Sequence, residues 1–401
     1  MQNFKRTLFR IVEAHLPRTP LIELYGPRRS GKTTLLRTLP IEGEPRYISL
    51  RDPRMGAIAR EHPDSFLDLN SPPVFFDDIE SCPELLEAIL MRIPEDPGPC
   101  QYLVAGTTEP VTTHKADSSL RKIFRLFPMS LREIAGYPDS VFYWEQGPHN
   151  QSGFLAGLFL WNTFLKNGFP ELVAGQDINF KDFYSGYLSD YLKKDVISLR
   201  KKAATEPFRD FMILLAERAG EPLNLSDMAR QVHTTLHIVK MWLAILERTH
   251  QIYILPSFNG RNRSTLIKAS KAYYTNTGLL CYLLGLTDPK KISSSFRAPA
   301  ILETAVINEI VRTKYHRSED PGISFWRKAT GMEVSLVLQD QEELVAIETS
   351  TSSKPQSNMS KGIRFFRKEM SIPGIRGYVI NPGKSAIPLS EGVEALPMGN
   401  M

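Results

Sequence analysis

Cysteine, an excess of one charge and long apolar stretches are all scarce in this sequence. Its three cysteines, Cys82, Cys100 and Cys281, lie far apart, which argues against a disulfide framework and a cysteine-based metal site. The most apolar stretch, residues 154–165, is too short to cross a bilayer and is interrupted by polar side chains. Residues 1–10 lack the apolar core and cleavage site of a secretion signal. We therefore expect a cytoplasmic protein with no membrane partner.

The composition is that of an ordinary globular protein. Apolar residues make up 42% of the 401 residues and charged residues 23%, which argues against wholesale disorder. The 49 basic and 44 acidic side chains leave a formal charge of +5, which permits an anionic partner without requiring one. At roughly 100–200 residues per domain, the length predicts about two to four domains.

The first third of the chain alternates short apolar runs with helical patterns. Apolar runs that alternate with helices are typical of a buried parallel sheet. The predicted strands are 21–25, 47–50, 74–77, 102–105 and 123–127, and the predicted crossover helices are 32–39 and 83–92. The sequence therefore predicts an α/β domain with a parallel sheet over residues 1–150.

A phosphate-binding loop follows the first predicted strand. The segment that fits the Walker A pattern Gly-x4-Gly-Lys-Ser/Thr, here extended by one residue, is Gly26-Pro27-Arg28-Arg29-Ser30-Gly31-Lys32-Thr33-Thr34. The glycines let consecutive backbone N–H groups surround an anion, and the following helix points its positive end at the same place. In this pattern Lys32 reaches the β- and γ-phosphates and the Thr33 hydroxyl binds Mg²⁺. We therefore expect the loop to bind ATP with Mg²⁺ as cofactors.

A second apolar run ends in two carboxylates, Asp77 and Asp78. A phosphate loop needs such a strand beside it because Mg²⁺ completes its coordination shell with a carboxylate. We expect Asp77 to hold the metal, directly or through water, and Asp78 to polarise the attacking water. A surface acid at a strand end is the alternative for Asp78. Thr107 follows the next strand, and it either senses the γ-phosphate or caps a helix.

Residues 151–205 are predicted to form a helical lid or linker, and residues 206–290 a compact module. The module has predicted helices at 208–218 and 234–249, with a short helix capped by Ser226 between them. Two strands, 252–258 and 264–268, flank the turn signal Asn259-Gly260. Three helices followed by a hairpin are the outline of a winged helix-turn-helix.

Residues 296–401 are predicted to form a second α/β unit. The predicted elements are a helix at 300–315, strands at 323–327, 332–338 and 343–349, and a basic helix at 361–370. Strand alternation places Val334 and Leu336 on the same face.

The order of these motifs resembles that of bacterial and archaeal AAA-type ATPases with a C-terminal domain of unknown function. Besides the loop and Asp77-Asp78, the resemblance rests on residues 126–133, 168–171, 191–195 and 274–280. It implies a P-loop ATPase core, a helical lid, a winged-helix module and a C-terminal restriction-endonuclease-like fold.

The resemblance also implies roles for single residues. In such ATPases an arginine often contacts a neighbouring subunit's phosphates, and Arg121 is the counterpart here, with Arg125 as its rival. The family usually has Asp-Glu where this chain has Asp77-Asp78. The shorter side chain of Asp78 implies slow turnover, or a contribution from Glu80.

The C-terminal fold that the resemblance implies is similar to that of PD-(D/E)XK nucleases. Those enzymes place Asp on one strand and Glu-x-Lys on the next. Ser335 and Ser350 stand where Asp and Lys would be, and Glu348 remains. An inactive fold is therefore the expectation, and an ATP-controlled nuclease is the alternative.

The winged module carries a basic surface. Lys240 and Arg248 lie on its third helix, and Arg261, Arg263 and Lys268 lie in the hairpin. Such a pattern fits the backbone of duplex DNA, but it also fits a lid or a contact between copies of the chain. DNA, self-association and a protein partner therefore all remain open, as does a nucleotide-gated regulator with negligible turnover.

Overall fold

The computed structural model describes residues 4–43, 45–114, 117–146, 158–166, 168–175, 178–196, 205–258, 269–340, 343–372 and 374–401. The strands are β1 (Leu21–Tyr25), β2 (Arg46–Ser49), β3 (Val74–Asp77), β4 (Tyr102–Gly106), β5 (Arg121–Arg125), β6 (Ile252–Leu255), β7 (Lys271–Tyr274), β8 (Ile323–Arg327), β9 (Glu333–Asp340), β10 (Glu343–Thr349), β11 (Arg376–Asn381), β12 (Ile387–Ser390) and β13 (Val393–Pro397). The α-helices are Thr7–His15, Lys32–Arg37, Pro53–Glu61, Pro63–Leu69, Pro83–Arg92, Leu131–Ala135, Tyr143–Gln146, Leu158–Lys166, Pro170–Ala174, Phe180–Tyr191, Thr205–Glu217, Leu225–Gln231, Leu236–Arg248, Thr277–Leu283, Pro289–Ser294, Ala298–His316 and Lys361–Met370, and Leu192–Val196 is a π-helical turn.

The first sheet has five parallel strands in the order β2-β3-β4-β1-β5. Every residue of β1, β3 and β4 is buried, as expected for strands covered by helices on both faces. Side chains of β1 alternate between two cores: Leu21 and Tyr25 pack on one face, and Ile22 and Leu24 on the other. The sheet and its helices therefore form the α/β fold of a P-loop NTPase.

The five predicted parallel strands are confirmed, but the bounds of three differ from the prediction: β2 lies one residue earlier, β4 extends to Gly106, and β5 begins and ends two residues earlier. The last of them, β5, begins at Arg121 and not at Ile123, because Arg121 pairs with Leu21 of β1 in the sheet. The loops after β1, β3 and β4 all leave the same edge of the sheet, because their strands are parallel. That edge is where open α/β sheets place their ligands.

The module that follows contains helices Thr205–Glu217, Leu225–Gln231 and Leu236–Arg248, and the antiparallel pair β6-β7. The prediction that Ser226 caps the second helix is wrong. Asn224 is the cap, because its side chain accepts a hydrogen bond from the free N–H of Asp227 at 3.1 Å, and Ser226 lies inside the first turn. The predicted hairpin turn and second arm, 259–268, lie outside the described residues.

The C-terminal part is built on a mixed six-stranded sheet in the order β12-β13-β11-β10-β9-β8. The predicted strands 323–327 and 343–349 and the helix 361–370 are confirmed. Helix Ala298–His316 is buried along most of its length and joins the core shared by this sheet and the preceding helices.

The predicted alternation along β9 is wrong at one point. Val334 packs with Trp326 and Phe366, whereas Leu336 joins the larger core that contains Val345. The pairing of β8 with β9 shifts register between Ser324 and Trp326, so the period of two is interrupted there.

Among the described helices, none combines the length and the apolar character that crossing a membrane requires.

Candidate nucleotide-binding site

The loop between β1 and helix Lys32–Arg37 is tightly constrained by its glycines. Gly31, the residue before the helix, has φ 99°, a conformation that favours glycine. A Cβ on Gly26 would collide with the backbone carbonyl oxygen of Leu126. The loop therefore has the backbone freedom and close approach that the motif predicts.

The Lys32 ammonium folds back over this loop. Its Nζ lies 2.8 Å from the carbonyl oxygen of Gly26 and 2.9 Å from that of Pro27. Burial lowers the pKa of Lys32, although nearby carboxylates oppose the shift. The amine is thus held inside the loop, at the place where the phosphates are expected.

Thr33 and Asp77 meet across the edge of the sheet. The Thr33 hydroxyl donates a hydrogen bond of 2.7 Å to Asp77 Oδ2, which also accepts one of 3.1 Å from the Tyr47 hydroxyl. A hydroxyl and a carboxylate are hard oxygen donors, so this pair fits Mg²⁺. In the part of the chain that is described, no group of three or more His, Cys, Asp or Glu side chains is arranged to hold a metal. Phosphate oxygens and water would have to complete the shell.

Asp78 lies beside Asp77 in the left-handed conformation, with φ 65°. Arg51 lies 3.0 Å from its Oδ1, and the Ser49 hydroxyl lies 3.3 Å from its Oδ2. Burial raises the pKa of Asp78 to about 6, against the opposing charge of Arg51. Asp78 therefore has the proton affinity of a base near neutral pH, but an arginine now holds its carboxylate.

Glu80 is a further carboxylate near Asp78. It accepts hydrogen bonds from the Thr107 hydroxyl at 2.7 Å and from the Thr107 backbone N–H at 3.1 Å. Arg51 lies 3.6 Å from Glu80 and so bridges it to Asp78. Sequence reasoning missed Arg51, which belongs to no motif and lies just beyond β2.

The remaining side chains of the loop contact residues that are distant in sequence. Arg28 forms a two-pronged ion pair with Asp195, in which Nη2 lies 2.6 Å from Oδ1. Arg29 lies 3.0 Å from Glu171. Asp195 and Glu171 belong to segments on which the family resemblance rests, and that resemblance gave neither residue a role.

Two further residues of the loop were predicted to bind cofactor. Within the described residues, the buried Ser30 hydroxyl has no hydrogen-bond partner, while the Ser30 carbonyl accepts a bond of 2.8 Å from Arg6. Thr34 is exposed on the first turn of the helix. The Ser30 hydroxyl is therefore a buried donor whose hydrogen bond is unused in the described residues.

Arg121 is not brought to the phosphate loop of its own chain. Its guanidinium binds both carboxylate oxygens of Glu23, which is fully buried. It lies opposite Leu21, at the end of β5 away from the loop, whereas Arg125 lies opposite Tyr25 at the loop end. Action of Arg121 on a neighbouring subunit stays a prediction.

Carboxylates of the C-terminal part lie together around an ammonium. Lys271, 1% exposed, pairs with Glu333 and lies 3.6 Å from Glu303, which accepts a 2.8 Å bond from the Ser335 hydroxyl. Burial raises the pKa of Glu348 to about 7, although a backbone hydrogen bond from Ile363 opposes the shift. A lysine thus already neutralises part of this acidic group.

The predicted nucleic-acid contacts are described only in part. Lys240 and Arg248 are exposed on helix Leu236–Arg248. The hairpin residues Arg261, Arg263 and Lys268 lie outside the described residues.

Three family models match successive parts of the chain. Residues 18–135 match a model described as an AAA domain. Residues 160–290 match a domain of unknown function (DUF8612), and residues 299–401 match a second one (DUF4143). No curated protein matches the chain.

Solved structures give weaker likenesses. A Walker-type ATPase of Pyrococcus abyssi is 16% identical with a TM-score of 0.43, over 70% of this chain and 96% of that one. A point variant of RuvB from Thermotoga maritima is 13% identical with a TM-score of 0.26, over 62% and 86%. A STAND protein with a tetratricopeptide repeat sensor from Pyrococcus horikoshii is 12% identical with a TM-score of 0.25, over 77% and 46%. All three TM-scores lie below 0.5.

The family match and the geometry concern the same residues. The AAA-domain match begins before β1 and ends after β5, so it includes the phosphate loop and the acidic end of β3. Residues 18–135 are therefore similar to AAA domains and carry a P-loop ATPase fold.

Proposed function

We propose that this chain binds ATP with Mg²⁺ and hydrolyses it slowly, and that the bound nucleotide controls the position of the later modules. The observation that carries the proposal is the 2.7 Å hydrogen bond between Thr33 and Asp77, made by the residue that follows Lys32 in the phosphate loop. A hydroxyl and a carboxylate from two separate motifs thus converge on one place. The AAA-domain match over residues 18–135 supports the same function.

The binding step follows from the loop. Lys32 now satisfies its ammonium with two loop carbonyls, and phosphate oxygens are stronger partners because they are charged. The Ser30 hydroxyl is a further donor. When bound with ATP, Mg²⁺ neutralises charge on the phosphates, and Thr33 with Asp77 would hold it.

The hydrolysis step depends on Asp78 and Glu80. Either carboxylate can orient and deprotonate a water, but Arg51 holds Asp78 and Thr107 engages Glu80. Turnover therefore requires these contacts to rearrange, which is the physical reason to expect a slow rate. The same contacts favour a second candidate, a nucleotide-gated regulator whose turnover is negligible.

The coupling step rests on contacts between the loop and later segments. Arg28 contacts Asp195, and Arg29 contacts Glu171. A change in the position of the loop would therefore displace the helices around residues 168–196. We retain the predicted units 1–150, 151–205, 206–290 and 296–401 as part of this proposal. Arg121 remains our candidate for action on a neighbouring copy.

Nucleotide binding is tested with a fluorescent ATP analogue and purified protein. Lys32→Ala should abolish binding, and Lys166→Ala, an exposed lysine, should leave it unchanged. Phosphate release then separates the candidates: a wild-type rate above that of Asp78→Asn supports an ATPase, and equal rates near zero support the regulator. Absence of binding by the wild type would remove both.

DNA binding is the least supported part of the proposal. The exposed charges of Lys240 and Arg248 predict a mobility shift that weakens as salt is raised. An unchanged shift in the variant Lys240→Glu plus Arg248→Glu would exclude this helix as the contact.

A further inference from the structure

We propose that Arg28 binds the γ-phosphate of ATP, and that in the nucleotide-free chain the Asp195 carboxylate occupies the position of that phosphate. ATP would then displace Asp195, whereas ADP would leave the Arg28–Asp195 pair intact. This inference rests on the proposed function and adds to it a residue pair that distinguishes the two nucleotides.

The ion pair of Arg28 with Asp195 is largely buried and has a two-pronged geometry. Arg28 contacts both oxygens of Asp195 through Nε and Nη2, and the exposed fractions of the two side chains are 13% and 3%. The Thr107 hydroxyl lies 3.4 Å from Asp195 Oδ1. The carboxylate therefore lies between the phosphate loop and the end of β4, and not at the surface.

The same chemistry fits a terminal phosphate. A planar guanidinium binds carboxylates and phosphates in the same two-pronged way, and a phosphate carries more negative charge. Arg28 belongs to the loop that surrounds the phosphates, and Thr107 follows the strand beside β1. We therefore assign the terminal phosphate, which ATP has and ADP lacks, to the position where an anion would contact both Arg28 and Thr107.

Displacement of Asp195 has a structural consequence. Asp195 belongs to the π-helical turn Leu192–Val196, which continues helix Phe180–Tyr191. Loss of an arginine partner destabilises a buried carboxylate, so we expect this turn to shift when the phosphate takes the guanidinium. The terminal phosphate is thereby sensed by a segment outside residues 18–135.

The test compares the affinities of the intact protein for Mg-ADP and for a non-hydrolysable ATP analogue by calorimetry. Asp195→Asn removes the competing charge, so the analogue should bind about tenfold more tightly while ADP is unchanged within about twofold. Arg28→Met should lower the affinity for the analogue by about tenfold and the affinity for ADP by less. Asp182→Asn, the same substitution at an exposed position of helix Phe180–Tyr191, should behave as the wild type.

The double variant Arg28→Met plus Asp195→Asn makes the test specific. If Asp195 competes for Arg28, its substitution brings no gain once Arg28 is absent. The inference would be overturned if Asp195→Asn increased the affinity for the analogue equally in the wild type and in Arg28→Met. It would also be overturned if Asp195→Asn changed the affinities for ADP and for the analogue equally. Should Asp195→Asn fail to fold, the ratio of the two affinities in Arg28→Met decides, and a ratio equal to that of the wild type overturns it.

The outcomes also separate this inference from the proposed function. A wild-type protein that binds neither nucleotide overturns both. A wild-type protein that binds both nucleotides, with Asp195→Asn indistinguishable from Asp182→Asn, overturns this inference alone.

Discussion

The carboxylate of Glu133 lies 3.2 Å from Nδ1 of His316, and both side chains are completely buried. The Phe127 backbone N–H donates to the other ring nitrogen of His316 at 3.1 Å, so Nδ1 carries the proton and faces Glu133. Glu133 also completes a capping box with Ser130 and pairs with Arg6 at 3.1 Å. One carboxylate thus connects the N-terminal helix, the segment after β5 and the helix Ala298–His316.

Glu133→Gln should therefore destabilise the protein by about 3 kcal/mol, because it leaves buried partners without their anion. The measurement is urea denaturation at neutral pH. Glu42→Gln, at an exposed position, is the control and should change stability little. Equal midpoints for the two variants would contradict the role assigned to Glu133.

The same group predicts a pH dependence. Burial by itself would raise the pKa of Glu133, but Arg6 and His316 together hold that pKa well below its ordinary value. The unfolded chain therefore takes up a proton that the folded chain does not. The contribution of ionised Glu133 to the free energy of unfolding is complete above the ordinary Glu pKa of about 4.3, and it is lost as the pH falls below that value.

Denaturation at several pH values checks this sign. The difference in unfolding free energy between wild type and Glu133→Gln should narrow below about pH 4.3. Burial lowers the pKa of His316, so the unfolding free energy of the wild type also decreases as the pH falls below about 6.5, because the unfolded chain takes up the proton first. A difference that widens in acid would contradict the assignment.

Phosphate release distinguishes the two candidate bases. If Asp78 orients the water, Asp78→Asn should lower the rate by at least about a hundredfold, and Glu80→Gln should have a smaller effect through Thr107. Glu84→Gln, exposed at the start of the next helix, is the control. If Glu80→Gln lowered the rate of phosphate release more than Asp78→Asn did, Glu80 would be the residue that orients the water.

Metal dependence tests the pair at the strand end. Thr33→Ala and Asp77→Asn should each raise the Mg²⁺ concentration needed for half-maximal binding of the fluorescent ATP analogue, because each removes an oxygen donor. Thr38→Ala, which only loses a hydrogen bond to the Leu35 carbonyl of the same helix, is the control. Unchanged Mg²⁺ titrations for Thr33→Ala and Asp77→Asn would exclude these residues as ligands.

Two glycines provide opposite predictions. Gly26→Ala should abolish nucleotide binding or folding, because its Cβ meets the rigid backbone of Leu126. Gly186 lies inside helix Phe180–Tyr191 with open space around it, so Gly186→Ala should stabilise the protein by about 0.5–1 kcal/mol. Thermal denaturation and nucleotide binding of both variants check this contrast.

The sequence by itself determined the parts that depend on neighbours along the chain. The phosphate loop, the strand before it and the helix after it follow from glycine placement and apolar patterning, and the structure has all three. Helix Pro83–Arg92 is likewise confirmed, since a proline at its start and an apolar stripe mark it locally. The parallel sheet followed from the alternation of apolar runs with helices.

Only the tertiary structure decided which charges meet. The partners Arg28 and Asp195, and Lys271 and Glu333, come from distant segments, and no spacing rule connects them. The partner of a charged side chain is chosen by burial and by the approach of separate elements, because an unpaired charge in the interior is costly. For that reason the sequence located the phosphate loop, whereas the contacts that can control it became visible only in the folded chain.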